Sequence, residues 1–154
     1  MKIGSLFSGI GGLELGLEAA LGARTVWQVE MDPYARRVLR KHWPRVDRTV
    51  RDVRHAGAAT LAPVDLVCGG FPCQDISVAG RGAGLTGARS GLWHEFHRVV
   101  REMGPGVVVV ENVPALATRG LDVVLGALAE LGYDAEWGVL SAAAVGAPHL
   151  RKRL

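Results

Sequence analysis

The chain has 154 residues, of which 49% are apolar and 21% charged, and its formal net charge is +3. This is an ordinary soluble globular composition, long enough for one domain with a continuous core. Two cysteines exclude a disulfide framework and match no common zinc spacing, and no run approaches the ~18–20 apolar residues of a bilayer span, so neither a metal nor a membrane is expected.

Short apolar runs alternate with helical patterns along the chain, the signature of a parallel sheet wrapped by helices. Residues 2–6 read as a first strand, followed by the turn Phe7-Ser8-Gly9-Ile10-Gly11-Gly12 and a helical segment carrying Leu13, Leu15, Leu17 and Leu21. Residues 25–30 read as a second strand. Asp32 suits the N-cap of the next helix and Pro33 its first turn, while Pro44 forces it to stop near His42. Residues 48–53 supply a short third strand, and residues 64–68 a buried fourth that stops at Gly69-Gly70. A helix over 92–103 ends at Gly104-Pro105-Gly106, and the β-branched run Val107-Val108-Val109-Val110 reads as a central strand. Residues 121–131 form a helix closed by Gly132, and residues 133–139 a sixth strand. The fold class is α/β, a mostly parallel sheet flanked by helices.

Residues 75–91 are glycine-rich and lack both periodicities. Loops beyond ~12–15 residues in a compact domain are usually lids or binding loops. The net charge and a pI near 9.2 are compatible with a polyanionic partner without demanding one. The basic cluster at 149–153 reads either as a solvated tail or as a contact. Two cysteines and no apolar leader after a basic stretch give the expectation of a reducing, cytoplasmic compartment.

Open parallel sheets bind ligands outside the carboxyl ends of their strands. The first strand delivers the glycine turn there, which lets backbone approach a ligand closely or serves only as a tight turn. Glu14 stands where a dinucleotide fingerprint has its third glycine. Glu30, about twenty residues on, offers a carboxylate to ribose hydroxyls. Asp52 either accepts from an adenine amino group or shapes a turn. Cys68, inside its apolar strand, reads as packing, whereas Cys73 follows Pro72 at the start of the long loop and is placed to act as a nucleophile. Glu111 ends an apolar strand, where burial raises a carboxyl's pKa and makes it a candidate proton donor.

Taken in order, Phe7-Ser8-Gly9-Ile10-Gly11-Gly12, Gly70-Phe71-Pro72-Cys73-Gln74 and Glu111-Asn112-Val113 resemble the C5-specific DNA cytosine methyltransferases. The segment Gly146-Ala147-Pro148-His149-Leu150-Arg151-Lys152-Arg153 is similar to a fourth family motif, Q-x-R-x-R, with His149 in place of the glutamine. The resemblance runs from Lys2 to the last residue and implies a Rossmann-like S-adenosylmethionine-dependent domain over 1–154. It gives Phe7, Ser8, Gly9, Gly11 and Gly12 to the cofactor turn, Glu30 to the ribose, Met31 to the adenine with Asp52 on its amino group, and Val53, Pro72 and Leu92 to further cofactor contacts. It implies catalysis by Cys73, Glu111, Arg151 and Arg153, and contact with double-stranded DNA through Gln74, Ser77, Arg81 and Arg89. The loop over 75–91 would close on a cytosine flipped from the duplex.

Relative to that family, the target-recognition region is expected to be absent and the sheet incomplete at its C-terminal edge, an edge open to pairing. Three readings follow: a truncated enzyme, the larger piece of a split enzyme whose separate chain carries the recognition region, or a noncatalytic cofactor- or DNA-binding module. A dehydrogenase or thiol-redox domain is the rival enzyme class, and would need nicotinamide binding or redox cycling of Cys73 with Cys68.

Overall fold

The computed structural model describes residues 1–72 and 91–154. Four strands form a parallel sheet: β1 (Lys2–Leu6), β2 (Arg24–Val29), β3 (Leu66–Gly69) and β4 (Val107–Val110), in the order β2-β1-β3-β4. The helices are α1 (Gly12–Leu21), α2 (Pro33–His42), α3 (Gly91–Met103) and α4 (Leu121–Glu130). A two-stranded antiparallel sheet pairs β5 (Leu140–Ser141) with β6 (Lys152–Arg153). The described residues fall into two compact units, one of Met1–Phe71 with Arg98–Val110, the other of Pro72–His97 with Glu111–Leu154.

In the first unit β3 is buried throughout, and β1 is buried at every position but Lys2. Strands covered on both faces read as unbroken apolar runs. Ile3, Leu66 and Cys68 form a buried cluster against which Leu13 and Leu17 of α1 pack. Gly4 is required beside β2, because a Cβ there would run into the indole of Trp27, whose Nε1 donates to the Ala62 carbonyl at 2.9 Å. The α2 helix starts as expected, the Asp32 side chain accepting from the Ala35 N–H at 2.7 Å.

In the second unit Trp93 and Phe96 stack with ring centroids 5.7 Å apart, and His97 Nε2 is hydrogen-bonded to the Ala127 carbonyl of α4 at 3.1 Å. Gly132 takes a φ of 86° just beyond α4, a left-handed conformation that glycine adopts without a steric penalty.

Three expectations are corrected. Residues 48–53 form no strand: Asp47 alone bridges to Trp27, the Asp47 carboxylate accepts from the Thr49 N–H at 2.8 Å, and Asp52 caps a single 3-10 turn over Val53–His55. Short local side-chain bonds of this type take the backbone away from a ladder. Residues 133–139 are likewise not a strand, and pairing begins only at Leu140. The valine run, expected at the centre, is the last strand of the four-stranded sheet and is only partly buried. Of the loop expected over 75–91, Gly91 opens α3, and the rest lies outside the described residues.

Candidate functional site

The turn after β1 is built from left-handed residues. Phe7 has a φ of 53°, Gly9 of 54° and Gly11 of 90°. Phe7 is the one non-glycine residue with positive φ among those described. Such a conformation costs a side-chain-bearing residue about 1–2 kcal/mol, so the surroundings must hold it in place. Ser8 does this: it is nearly buried, its N–H donates to the Val29 carbonyl at 3.2 Å, and its Oγ donates to Ser5 Oγ at 2.9 Å. Glu30 closes the other side. Its Oε2 accepts from the Gly9 N–H and its Oε1 from the Asp32 N–H, both at 2.7 Å. One carboxylate thus clamps the loops after β1 and β2 together.

The glycines of this turn serve different ends. A Cβ on Gly11 would meet the Trp43 indole and the Leu39 side chain, so Gly11 answers to packing against the end of α2. A Cβ on Gly9 or Gly12 would meet nothing within 4 Å, leaving open space over that backbone. Met31 beside it is 61% exposed. A carboxylate has about four lone-pair sites; the two backbone N–H groups leave the rest of Glu30 able to accept from ligand hydroxyls.

Asp52 is engaged locally. Its Oδ1 accepts from the Arg54 N–H at 3.0 Å, and its Oδ2 pairs with the Arg54 guanidinium at 2.5 Å. That guanidinium holds the carboxyl below its usual range. The turn-shaping role is therefore realised, and Val53 behind it is buried.

In the second unit, backbone pairing brings together two residues that lie far apart in sequence. The Asn112 N–H donates to the Leu154 carbonyl at 2.7 Å, and the Leu154 N–H returns to the Asn112 carbonyl at 2.9 Å. This reciprocal pair sets Arg153 beside Glu111, and Arg153 Nε meets Glu111 Oε1 at 2.5 Å. The Glu111 side chain is 38% exposed, so the desolvation expected of it is missing, and its carboxylate faces a guanidinium instead. Arg151 is exposed, its carbonyl accepting from the Ala142 N–H at 2.8 Å. Pro72 is exposed and Leu92 half-buried. Cys73, Gln74, Ser77, Arg81 and Arg89 lie outside the described residues.

One group was legible only as an oddity. Glu14, in the place of a third glycine, is completely buried in α1, its Oε1 accepting from Gln28 Nε2 at 3.3 Å. Burial pushes its carboxyl above the usual range, against hydrogen bonds with Ser5, Gln28 and Ser8. Cys68 is buried as expected, and burial, helped by the charge of Glu14, pushes its thiol up to about 12.

A parallel sheet with a glycine turn after its first strand and a clamped carboxylate after its second defines a Rossmann-like α/β domain with its ligand side at the strand ends. The chain belongs to the C-5 cytosine-specific DNA methylase family, whose sequence model matches residues 1–154. It is 36% identical over 164 residues to the type II methyltransferase M2.BsuMI of Bacillus subtilis, covering 100% of this chain and 41% of that protein. It is 35% identical over 173 residues to the type II methyltransferase M.AquIA of Picosynechococcus, covering 99% of this chain and 69% of that one. Among solved structures, a prophage-encoded E. coli protein assigned as a DNA modification methyltransferase superposes with a TM-score of 0.77 at 29% identity, over 99% of this chain and 44% of that one. The chain thus spans less than half the length of M2.BsuMI. Family members use S-adenosylmethionine in general, and the fold is that of S-adenosylmethionine-dependent methyltransferases. No helix among the described residues is long and apolar enough to cross a membrane.

Proposed function

We propose that this chain is the cofactor-binding and catalytic part of a DNA (cytosine-5-)-methyltransferase acting on double-stranded DNA. The observation that carries the reading is the Glu111–Arg153 pair, because these two residues, 42 positions apart, were expected to grip the same cytosine ring and they stand side by side. The open backbone at Gly9 and Gly12, the free lone pairs of Glu30 and the exposed Met31 suit a nucleoside that has ribose hydroxyls and no phosphates. Asp52, paired with Arg54, would accept from the adenine amino group through its remaining lone pairs, and Val53 belongs to the same cofactor set. Pro72 and Leu92 complete the cofactor set.

Bound S-adenosylmethionine supplies its methyl group as the electrophile. The chain's own residues make cytosine able to take it. The base leaves the duplex at a cost of a few kcal/mol, roughly what unstacking requires. The Cys73 thiolate adds to carbon-6, which gives carbon-5 the enamine character it lacks in the free base. Glu111 holds ring nitrogen-3 and the exocyclic amino group, and Arg153 the ring carbonyl oxygen, so charge developing on addition meets fixed partners. Arg151 assists at the ring or at the phosphates. Loss of the carbon-5 proton and expulsion of Cys73 release the product. Gln74, Ser77, Arg81 and Arg89 contact the DNA around the extruded base.

The test is transfer of labelled methyl from S-adenosylmethionine to mixed-sequence duplex DNA, with Cys73→Ser as control. Label on cytosine carbon-5 that disappears in Cys73→Ser is the expected result; transfer that survives the substitution refutes the covalent route. A second reading is the larger piece of a split enzyme. It predicts cofactor binding without transfer until a separate recognition chain is added. Cofactor or DNA binding with no transfer in either case would leave a noncatalytic module.

A further inference from the structure

The chain's charge is far from evenly spread. Eight of its 18 Lys and Arg residues, but only two of its 15 Asp and Glu, lie between Arg36 and Arg54. That stretch carries a formal +6 and the remainder −3. It covers most of α2 and the loop that follows. Arg37, Arg40, Lys41, Arg45 and Arg51 are all exposed, and among the described residues none of the five is in an ion pair with a carboxylate.

A merely solvated helix face would alternate its charges. The α2 helix has no acidic residue at all, and it sets Arg36 against Arg40 and Arg37 against Lys41 at i,i+4. Like-charge pairs at that spacing cost a helix a few tenths of a kcal/mol each, about 0.2–0.5. Cations in the last turn recover part of that against the helix dipole, but Arg37 and Arg45 lie outside that turn. The buried Arg36 and half-buried Arg48 nearby do not neutralise the face either. Arg36 donates to the carbonyls of Glu30 and Arg48 at 3.1 and 2.9 Å, and Arg48 to those of Leu39 and Val46 at 3.0 and 2.9 Å and to Gln28 Oε1 at 2.8 Å. Burial lowers both guanidinium pKa values, and so do their neighbours, Arg51 and Arg40 for the first and Arg36 and Arg40 for the second. These cations are crowded on a frame braced by backbone carbonyls. The 64%-exposed Tyr34 adds an aromatic face, with the Arg37 guanidinium 5.6 Å from its ring centroid.

We propose that Arg37, Arg40, Lys41, Arg45 and Arg51 form a docking surface for the phosphate backbone of duplex DNA, made of residues outside the strand-end set that handles cofactor and cytosine. The proposal rests on the reading of the chain as a DNA methyltransferase, and it adds a sequence-independent contact to it. A run of exposed cations with little opposing charge matches the repeating negative charge of a phosphate backbone, which Arg and Lys contact without reading sequence.

The experiment measures binding of the full chain to a mixed-sequence duplex of about 40 base pairs over a salt series, for the wild type and for R37Q/R40Q/K41Q/R45Q. Each lost phosphate contact lowers the slope of log affinity against log salt by about 0.9. A drop of roughly 2–4 in slope, alike on duplexes of unrelated sequence, is expected. The thermal midpoint of the variant should not fall, since one like-charge pair is removed outright and the other loses one partner; R37Q/R45Q provides a milder version. An unchanged slope in a folded variant overturns the proposal, as does absence of duplex binding by the wild type. Loss of binding to phosphatidylserine vesicles with DNA binding intact would make the face a membrane contact and overturn it equally. A wild type that shows the salt-dependent binding but transfers no methyl group, alone or with a separate recognition chain added, leaves this surface standing and refutes the enzymatic reading alone.

Discussion

Glu14 illustrates how one residue can be conspicuous in the sequence while its surroundings stay hidden there. It occupies the slot of a fingerprint glycine, yet it turns inward beneath the loop and is fully buried among Ser5, Ser8, Gln28 and Cys68. Its carboxyl keeps a proton to higher pH when folded than the ordinary value near 4.5. Above that value the unfolded chain has lost the proton and the folded chain has not, so stability falls as pH rises toward the folded pKa. Glu14→Gln removes this dependence. Thermal midpoints of the two proteins are expected to diverge in the variant's favour as pH rises above 4.5, other groups cancelling between them; parallel curves would refute a raised Glu14 carboxyl. Cys68 offers a second check at the same scale. With its thiol pushed up to about 12 and no exposed surface, it should not react with a thiol reagent at neutral pH in the native Cys73→Ser variant, and should react fully once denatured.

The elements separate glycines that look alike in the sequence. Gly4→Ala forces a methyl group into the Trp27 indole inside the sheet, an overpacking expected to cost about 1–3 kcal/mol by denaturant titration. Gly9→Ala meets no atom but keeps a φ of 54°, so it should cost only the backbone term, about 1–2 kcal/mol. A larger loss at Gly9 than at Gly4 would reverse that assignment. Elements whose signals were local were legible: Asp32 and Pro33 at the start of α2, Pro44 beyond its end, and the apolar runs of β1 and β3. Elements decided by long-range pairing were not. Residues 48–53 have strand-like composition, but Asp47 and Asp52 bond their own neighbours. Four consecutive valines say strand without saying which neighbours they have. The same limit applied to the site: the glycine turn, Glu30, Glu111 and Arg153 could be picked out by type and order, but the clamp by Glu30 and the pairing of Asn112 with Leu154 depend on contacts across 21 and 42 residues of chain.

For the molecule as a whole, both units are discontinuous in sequence, yet the turn after β1, Glu30, Met31, Asp52 and Val53 all belong to the first, and Glu111, Arg151 and Arg153 to the second. Pro72 and Leu92, also proposed for the cofactor, belong to the second unit, but they lie far in sequence from the segment that carries Arg151 and Arg153, so loss of that segment should separate the two functions. Deleting residues 151–154 removes both backbone bonds to Asn112 and the partner of Glu111. Methyl transfer is expected to be lost, while calorimetric affinity for S-adenosylmethionine changes by no more than a few fold. Equal loss of both would show that the cofactor residues depend on the second unit. The segregation of charge acts at this scale too, since a chain of net +3 holds a segment of +6.

The Asn112–Leu154 pairing also bears on the order in which the protein matures. Synthesis completes the first unit at Val110, and with it the glycine turn and the Glu30 clamp; Glu111 then emerges with no partner until Arg153 follows it out of the ribosome. A nascent chain therefore passes through a stage in which the loops that would receive a methyl donor are finished and the grip on a cytosine is not. On the proposed reading, methyl transfer would have to wait until translation has run through this segment.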